Sequence, residues 1–401
     1  MIHHKYLLWA ILIGALLGIF CGWYFGHAMQ SVAWLGQLFL DALKMTIIPL
    51  IIAAVITGIT SIGDVRKLGR LGGLTVLYYT ATTALAVGTG LIVVNIIRPG
   101  VGIEVTQVAQ QAVSIKKDIG VSDIISSLIS PNLFNSAAET QILPIIVFCL
   151  IFGAALTTIG EQGKTLMTFF DGLNEVMMKL VIWIMYFAPL GVFALIAAKL
   201  GASGGGESFW REISSVGRYI VTVVLGLGIH SGVLFLILVT FSNRGRDYVL
   251  DMLRALVTAF GTASSSATLP LTIECATEAG VDQRSIKFVL PLGATVNMDG
   301  TALYEAVAAM FIAQAYGIDM SVTQQLVIFI TATLAAIGAA GIPQAGLVTM
   351  LIVLSAVNLP EEGIGMLLAV DWFLDRIRTT VNVWGDSVGA AVIERVLPVR
   401  G

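Results

Sequence analysis

Charged residues are scarce in this sequence. They make up 12% of its 401 positions, about half the share of a typical soluble domain. The net charge is −3 and the basic residues are scattered over short stretches, so nothing in the composition favours a nucleic-acid partner. Hydrophobic residues supply 57% of the chain, and its mean hydropathy is +0.91. We therefore predict an all-α, polytopic membrane protein that lies in a lipid bilayer.

Cysteine and histidine are also sparse. The three cysteines are isolated, and the four histidines, His230 among them, form no pair at metal-ligand spacing. The sequence thus predicts neither a disulfide framework nor a resident metal centre, and we interpret His230 as structural or interfacial. The His-Glu-x-x-His motif of metalloproteases is missing. We expect neither an enzyme nor an organic cofactor.

Long apolar runs predict the membrane-spanning helices. A span needs about 20 apolar residues, and such runs occur near 6–26, 32–61, 72–97, 141–159, 166–199 and 213–242. The polar stretch 101–135 is typical of an external connection. Basic residues follow the second and the sixth spans, so the positive-inside rule predicts that both termini are cytoplasmic. We expect a multi-pass protein of the cell inner (plasma) membrane.

Two later apolar stretches are interrupted by small and helix-breaking residues, at 261–270 and 338–346. The arms that flank each break have about 12 residues, or roughly 18 Å of helix, against a hydrocarbon core of about 30 Å. We predict two re-entrant helical hairpins, each followed by a long helix with polar residues in its middle, in inverted orientations. Paired interrupted segments of this kind indicate the midplane binding site of a transporter.

The last helix carries a polar stripe on an apolar background. Within about 100° of arc lie Asp371, Asp375, Arg378, Thr379, Asn382 and Asp386. A charged side chain at the bilayer centre costs at least about 2.5–3.5 kcal/mol, so the stripe must face protein, ions or substrate. A purely structural ion-pair stripe is the alternative, but it would not need two broken hairpins opposite it.

Three other positions offer polar chemistry in apolar surroundings. The turn Asn297–Gly300 supplies oxygen ligands for a hard cation and predicts a sodium site, or else is a simple kink. The triplet Ser264–Ser266 suits a carboxylate, or marks only a turn. Desolvation favours the protonated form of a buried carboxyl, so Glu305 is a candidate proton carrier, or a structural partner of an arginine.

These residues resemble a known family. The stretches 297–305, 338–350 and 370–382, with 43–50 and 183–191, are similar to the dicarboxylate/amino acid:cation symporters. That family includes archaeal sodium–aspartate transporters and animal excitatory amino acid transporters, and the resemblance covers nearly the whole chain. It implies eight transmembrane helices and two re-entrant hairpins arranged as inverted repeats, an elevator-type transport mechanism gated by the second hairpin, and a homotrimer.

The resemblance also implies a division of the chain. Residues 1–71 would form scaffold helices 1–2, and 101–242 would hold helices 4 and 5 of the scaffold and helix 6 of the transport domain. The transport domain would also contain the third helix at 72–100 and the core at 243–401. Its implied parts are hairpin 1 at about 246–279, helix 7 at about 285–316, hairpin 2 at about 322–357 and helix 8 at about 361–395.

Site roles are implied position by position. Arg378 matches the residue that pairs with the substrate side-chain carboxylate, and Asp375 the one that takes its amino group. The matching α-carboxylate ligands and pocket residues are Asn382, Ser265, Ser266, Thr301, Thr379 and Gly346. The matching Na+ ligands are Tyr79, Thr82, Thr83, Gly293, Asn297, Met298, Asp299, Asn382 and Asp386.

The sequence therefore predicts a secondary active symporter of glutamate or aspartate, coupled to Na+. Coupling to H+ or K+ stays open. A guanidinium at Arg378 favours a dicarboxylic substrate, and the carboxylate of Asp375 favours one that carries an amino group. The alternatives are a C4-dicarboxylate or neutral amino acid symporter on the same fold and, in a different class, an anion-conducting channel.

Overall fold

A computed structural model describes residues 2–61, 69–102, 128–139, 141–202, 206–337 and 345–396. Within these ranges every long regular element is an α-helix, as predicted. In chain order the helices are α1 (Ile2–Phe25), α2 (Ala33–Ser61), α3 (Gly69–Ile97), α4 (Leu133–Ala138), α5 (Ile142–Thr158), α6 (Lys164–Met185), α7 (Ala188–Ala202), α8 (Gly206–Ser242), α9 (Arg246–Thr262), α10 (Ser265–Glu278), α11 (Gln283–Val296), α12 (Asp299–Ala315), α13 (Val322–Ile337), α14 (Ala345–Ala356) and α15 (Ile364–Val396).

Among the residues that the structure describes, three apolar helical stretches are long enough to cross a membrane: Trp9–Thr60, Arg70–Ile97 and Ser214–Ser242. The first of them is 52 residues long and covers most of α1 and α2, which a short 3-10 helix, Gly26–Val32, joins. The helices α6 and α7 make a fourth if they are taken as one bent span. The length and composition of these helices are those expected of a multi-pass membrane protein.

The stretch 166–199, predicted as one span, is bent in the structure. The chain bends by 56° between α6 and α7. Pro189 lies at the start of α7, where its ring leaves no N–H for the helix ladder, and the backbone turns through Tyr186 and Phe187. The carbonyl of Phe187 then accepts from the N–H groups of Leu190 and Gly191 at 3.1 and 3.0 Å.

The helices pack in two groups. In the first, α1 lies against α7, and α2 lies against α5, α6 and α7. In the second, α15 is packed by α8, α9, α11 and α12, while α3 lies against α12 and α8. Contacts such as those between α7 and α15 join the two groups. The polar stripe of α15 therefore lies inside the second group.

The helices α9 and α10 fold back on each other. Arg254 of α9 donates to Glu274 and Glu278 of α10 at 2.7 and 2.9 Å, which brings together residues on opposite sides of the break. Ala263 turns the chain with a left-handed φ of +51°, and Ser264 caps α10 through a bond from the N–H of Ala267. The break thus falls within the predicted interruption.

The helices α13 and α14 pack together in the same way. Most of the predicted second tip, residues 338–344, lies outside the described residues. The four arms have 17, 14, 16 and 12 residues, so three of them are longer than the predicted length of about 12. Even the longest covers only about 26 Å at 1.5 Å per residue, which is less than a hydrocarbon core of about 30 Å.

Candidate functional site

The polar stripe of α15 is buried. The side chains that form it are Asp371, Asp375, Arg378, Thr379, Asn382 and Asp386, and each exposes less than a tenth of its surface. The helix α15 is continuous through these residues and contains no proline. Its polar side chains contact neighbouring residues of the protein. Their burial agrees with the prediction that the stripe faces protein, ions or substrate rather than lipid.

Arg378 is the largest fully buried side chain among the described residues. Its Nη2 donates to Asp375 Oδ1 at 2.7 Å and lies 3.0 Å from Asp371 Oδ1. The guanidinium carbon lies 3.9 Å from the centre of the Tyr304 ring, a distance typical of a cation–π contact. Two carboxylates and an aromatic face thus compensate one buried cation, and they fix the plane of its guanidinium.

The other donors of the Arg378 guanidinium are directed away from these partners. Within the described part of the chain, neither Nε nor Nη1 makes a hydrogen bond, although both are buried. The backbone of Gly346 lies against the Nη1 end of the guanidinium, so close that a Cβ atom there would lie 2.6 Å from Nη1. The N–H groups of Nη1 can therefore donate a charge-assisted hydrogen bond to a carboxylate.

A second cluster of oxygen atoms surrounds Asp299, at the break between α11 and α12. Asp299 Oδ1 accepts from Thr83 at 2.7 Å and from Thr82 at 3.3 Å. Thr82 also lies 3.4 Å from Asn297 Oδ1, and the amide of Asn297 donates to Asp386 Oδ1 at 3.0 Å. Three helices, α3, α12 and α15, and the α11–α12 break therefore place hydroxyl, amide and carboxylate oxygens together.

Tyr79 and Gly293 close one side of this cluster. The Tyr79 hydroxyl donates to the carbonyl of Val289 at 2.6 Å. A Cβ atom on Gly293 would collide with Asp386 and lie 2.7 Å from the Tyr79 hydroxyl, so the backbone there lies directly against both side chains. No group of three His, Cys, Asp or Glu suited to a metal occurs among the described residues. A mixed set of oxygen donors suits a hard cation such as sodium.

Asn382 connects the two clusters. Its Oδ1 accepts from the N–H of Gly300 at 2.7 Å, and its Nδ2 lies 3.3 Å from Met298 Sδ and 3.4 Å from Thr301 Oγ1. It follows Arg378 by one turn of α15 and precedes Asp386 by one turn. A shift of the broken backbone at 297–300 can therefore be transmitted through Asn382 to the part of α15 that carries Arg378.

The remaining predicted residues lie on α10, α12 and α15. Ser265 is buried at the start of α10, whereas Ser266 is exposed. Thr379 is buried on α15. Glu305 is fully buried on α12 and lies near Thr349 and Arg378.

Two residues of the site were missed from the sequence. His230 of α8 places Nε2 3.2 Å from Asp299 Oδ2, and Tyr304 covers Arg378. His230 is an ionisable residue in the middle of an apolar run, and that signal alone marks a functional candidate. Tyr304 gave no comparable signal, because an aromatic residue in an apolar helix is ordinary core.

The last helix contains a five-residue motif of the kind found in hydrolases. Residues 385–389 read Gly-x-Ser-x-Gly, but they lie within α15. The Ser387 hydroxyl donates to the carbonyl of Val383 at 2.7 Å. A hydrolase nucleophile instead lies on a strained strand-to-helix turn beside a histidine. The motif is part of a regular helix, and it does not support an enzymatic function.

Together, these features define a multi-pass membrane protein with a buried charged site between broken helices, which is a feature of transporters. Residues 7–396 match the Sodium:dicarboxylate symporter family, and the chain belongs to that family. It is 38% identical to excitatory amino acid transporter 1 of Ambystoma tigrinum, over 96% of this chain and 81% of that protein. It is also 38% identical to excitatory amino acid transporter 3 of Mus musculus, over 96% and 84%, and 39% identical to excitatory amino acid transporter 2 of Homo sapiens, over 96% and 78%. The family and these relatives are transporters rather than enzymes.

Proposed function

We propose that this protein is a secondary active symporter that takes up glutamate or aspartate with Na+. The observation that carries the proposal is the buried Arg378, whose Nη2 is held by Asp371 and Asp375 while its Nη1 lies against Gly346 without a hydrogen-bond partner among the described residues. A neutral substrate would have no use for a buried guanidinium. The family membership and the names of the relatives support the same conclusion.

In the proposed complex the side-chain carboxylate of the substrate accepts a hydrogen bond from Nη1 of Arg378. Asp375 accepts from the substrate amino group, while Asp371 stays as the counter-charge of the arginine. Asn382, Ser265 and Ser266 bind the α-carboxylate, and Thr301, Thr379 and Gly346 line the pocket. This division of roles excludes succinate as a good substrate, because its lack of an amino group would leave Asp375 without a partner.

Sodium occupies the oxygen cluster in this proposal. Asp299, Thr82 and Thr83 form one set of ligands with Asn297 and Tyr79, and Asp386 forms another with Asn382 and backbone groups near Gly293 and Met298. A cation at either place offsets buried carboxylate charge. Because Asn382 contacts both the 297–300 break and the substrate pocket, ion binding and substrate binding stabilise each other. That coupling is the basis of symport.

Larger motions follow from the same proposal. The helix group that contains α3 and α8–α15 moves as an elevator against the group of α1, α2 and α5–α7, and the α13–α14 hairpin opens and closes over the substrate. The protein assembles as a homotrimer in the plasma membrane, with both termini in the cytoplasm. Glu305, buried near the pocket, is the candidate for coupling to protons, and potassium is the alternative counter-ion.

The test is selectivity of uptake into proteoliposomes. Labelled glutamate, aspartate, succinate and serine are supplied separately under one inward sodium gradient. We expect accumulation of glutamate or aspartate against a gradient, with little uptake of the other two. Preferred succinate or serine uptake would replace the substrate assignment, and unitary currents without accumulation would indicate the channel alternative.

A further inference from the structure

His230 makes a polar contact deep inside the helix bundle. It lies in the middle of α8, and its Nε2 is 3.2 Å from Oδ2 of Asp299, which begins α12. Both side chains are completely buried. The two residues are 69 positions apart in the chain, so the contact exists only because the fold brings α8 and α12 together.

The two oxygens of Asp299 have different surroundings. Oδ1 accepts from the hydroxyls of Thr83 and Thr82 and belongs to the proposed cation cluster. Oδ2 lies on the opposite side, against His230 and the backbone of Gly385, where a Cβ atom would come within 3.1 Å of it. One side of the carboxylate is thus available to an ion, and the other is fixed by protein.

We infer that His230 is a positioning residue for sodium: its Nε2–H donates to Oδ2 of Asp299 and holds the carboxylate so that Oδ1 stays beside Thr82 and Thr83. This inference rests on the proposed sodium-coupled function. A carboxylate with only one oxygen held can rotate about its Cβ–Cγ bond, and the oxygen geometry offered to the cation then varies. Loss of partners that orient metal ligands typically weakens metal binding by about 10–100-fold.

The residues around the contact argue against a purely structural role for it. Leu227 and Leu234, three residues before and four residues after His230, are fully buried on the same face of α8. This face is therefore already fixed by apolar packing. A buried polar pair often adds little stability compared with apolar residues of similar volume. The pair is better explained by what it does to the orientation of Asp299.

The test compares donors at position 230 in the purified full-length protein. His230→Gln keeps an N–H donor, whereas His230→Phe and His230→Leu fill the space without one. Leu234→Ala is the matched control, because it creates a cavity on the same helix face without removing a contact to Asp299. Aspartate uptake into proteoliposomes is measured as a function of sodium concentration at saturating aspartate, and thermal unfolding of each variant is measured in parallel.

We expect His230→Phe and His230→Leu to raise the half-saturating sodium concentration by about 10-fold or more, with His230→Gln close to wild type. Leu234→Ala should lower the melting temperature and leave the sodium dependence unchanged. Wild-type sodium dependence in both donor-free variants would overturn the inference, as would an equal shift in Leu234→Ala. If the wild-type protein itself shows no sodium dependence, the proposed function fails instead, which separates the two conclusions.

Discussion

Arg378→Cys is the substitution that most directly changes substrate selectivity. The wild-type guanidinium has buried Nε and Nη1 groups without a hydrogen-bond partner among the described residues, while Nη2 is held by Asp375 at 2.7 Å and lies 3.0 Å from Asp371. A hydrogen bond to a charged group contributes about 1.5–3 kcal/mol, so the loss of the one from Nη1 weakens binding of an acidic substrate by about that amount. At about 1.4 kcal/mol per decade, that is a loss of roughly 10–10²-fold in affinity.

A neutral amino acid should not suffer this loss. Serine makes no demand on Arg378, so Arg378→Cys should favour serine over glutamate. The assay is competition between labelled glutamate and serine for uptake into proteoliposomes under a sodium gradient. Arg378→Lys keeps the charge but not the planar pair of donors, and we expect it to lie between wild type and cysteine.

Stability has to be separated from selectivity. Removal of Arg378 leaves Asp371 and Asp375 without their cation, and breaking a buried ion pair from one side costs about 3–5 kcal/mol. The double variant Arg378→Cys/Asp371→Asn removes one of these charges and should recover part of the melting temperature. Glutamate uptake at the wild-type level in a folded Arg378→Cys protein would refute the assignment of the arginine.

Three further predictions concern ions and motion. Asp386→Asn should raise the half-saturating sodium concentration at least about tenfold, measured by uptake, because it removes a carboxylate charge beside Asn297; an unchanged value would remove Asp386 from the ion site. Glu305→Gln should leave sodium-driven exchange of labelled for unlabelled substrate intact and abolish the pH dependence of net uptake, since the fully buried carboxyl is replaced by a group that does not titrate; a wild-type pH profile would make Glu305 structural. The pair Lys44–Glu361, at 2.8 Å, joins α2 to the turn before α15, and so joins the two helix groups. If these groups move past each other, Glu361→Gln should change the turnover rate by up to about fivefold, as for a partly exposed ion pair. In the double variant, Lys44→Gln should cause no further change, because the pair is already broken. Additive effects of the two substitutions would show that the pair does not link the groups.

The positions of the site residues along the chain could be predicted because they follow from local sequence patterns. The six-residue stripe of α15 follows from helical periodicity and from the cost of charge in lipid. The breaks near Ala263 and Asn297 follow from residues that interrupt apolar runs. The family resemblance, carried by the same stretches, agrees with the match over residues 7–396.

Other features depend on distant contacts. The bend between α6 and α7 lies just before Pro189, but the apolar run continues across it, so hydropathy alone gives no sign of the bend. Three of the arms extend beyond the predicted length because packing against other helices stabilises extra turns that weak local propensity leaves undecided. These neighbours are α15 for α9 and α10, and α12 and α14 for α13. The partner of His230 is 69 residues away, and periodicity contains no information about which helix will lie opposite.

The most direct test of the central claim is uptake of labelled aspartate and glutamate into proteoliposomes with a sodium gradient or a proton gradient imposed separately. The oxygen cluster around Asp299 predicts accumulation whenever the sodium gradient is present, and none with protons alone. The Asp299→Asn variant should lose the sodium-driven accumulation. Full accumulation with a proton gradient in the absence of sodium would contradict the account and move the centre of ion coupling to Glu305.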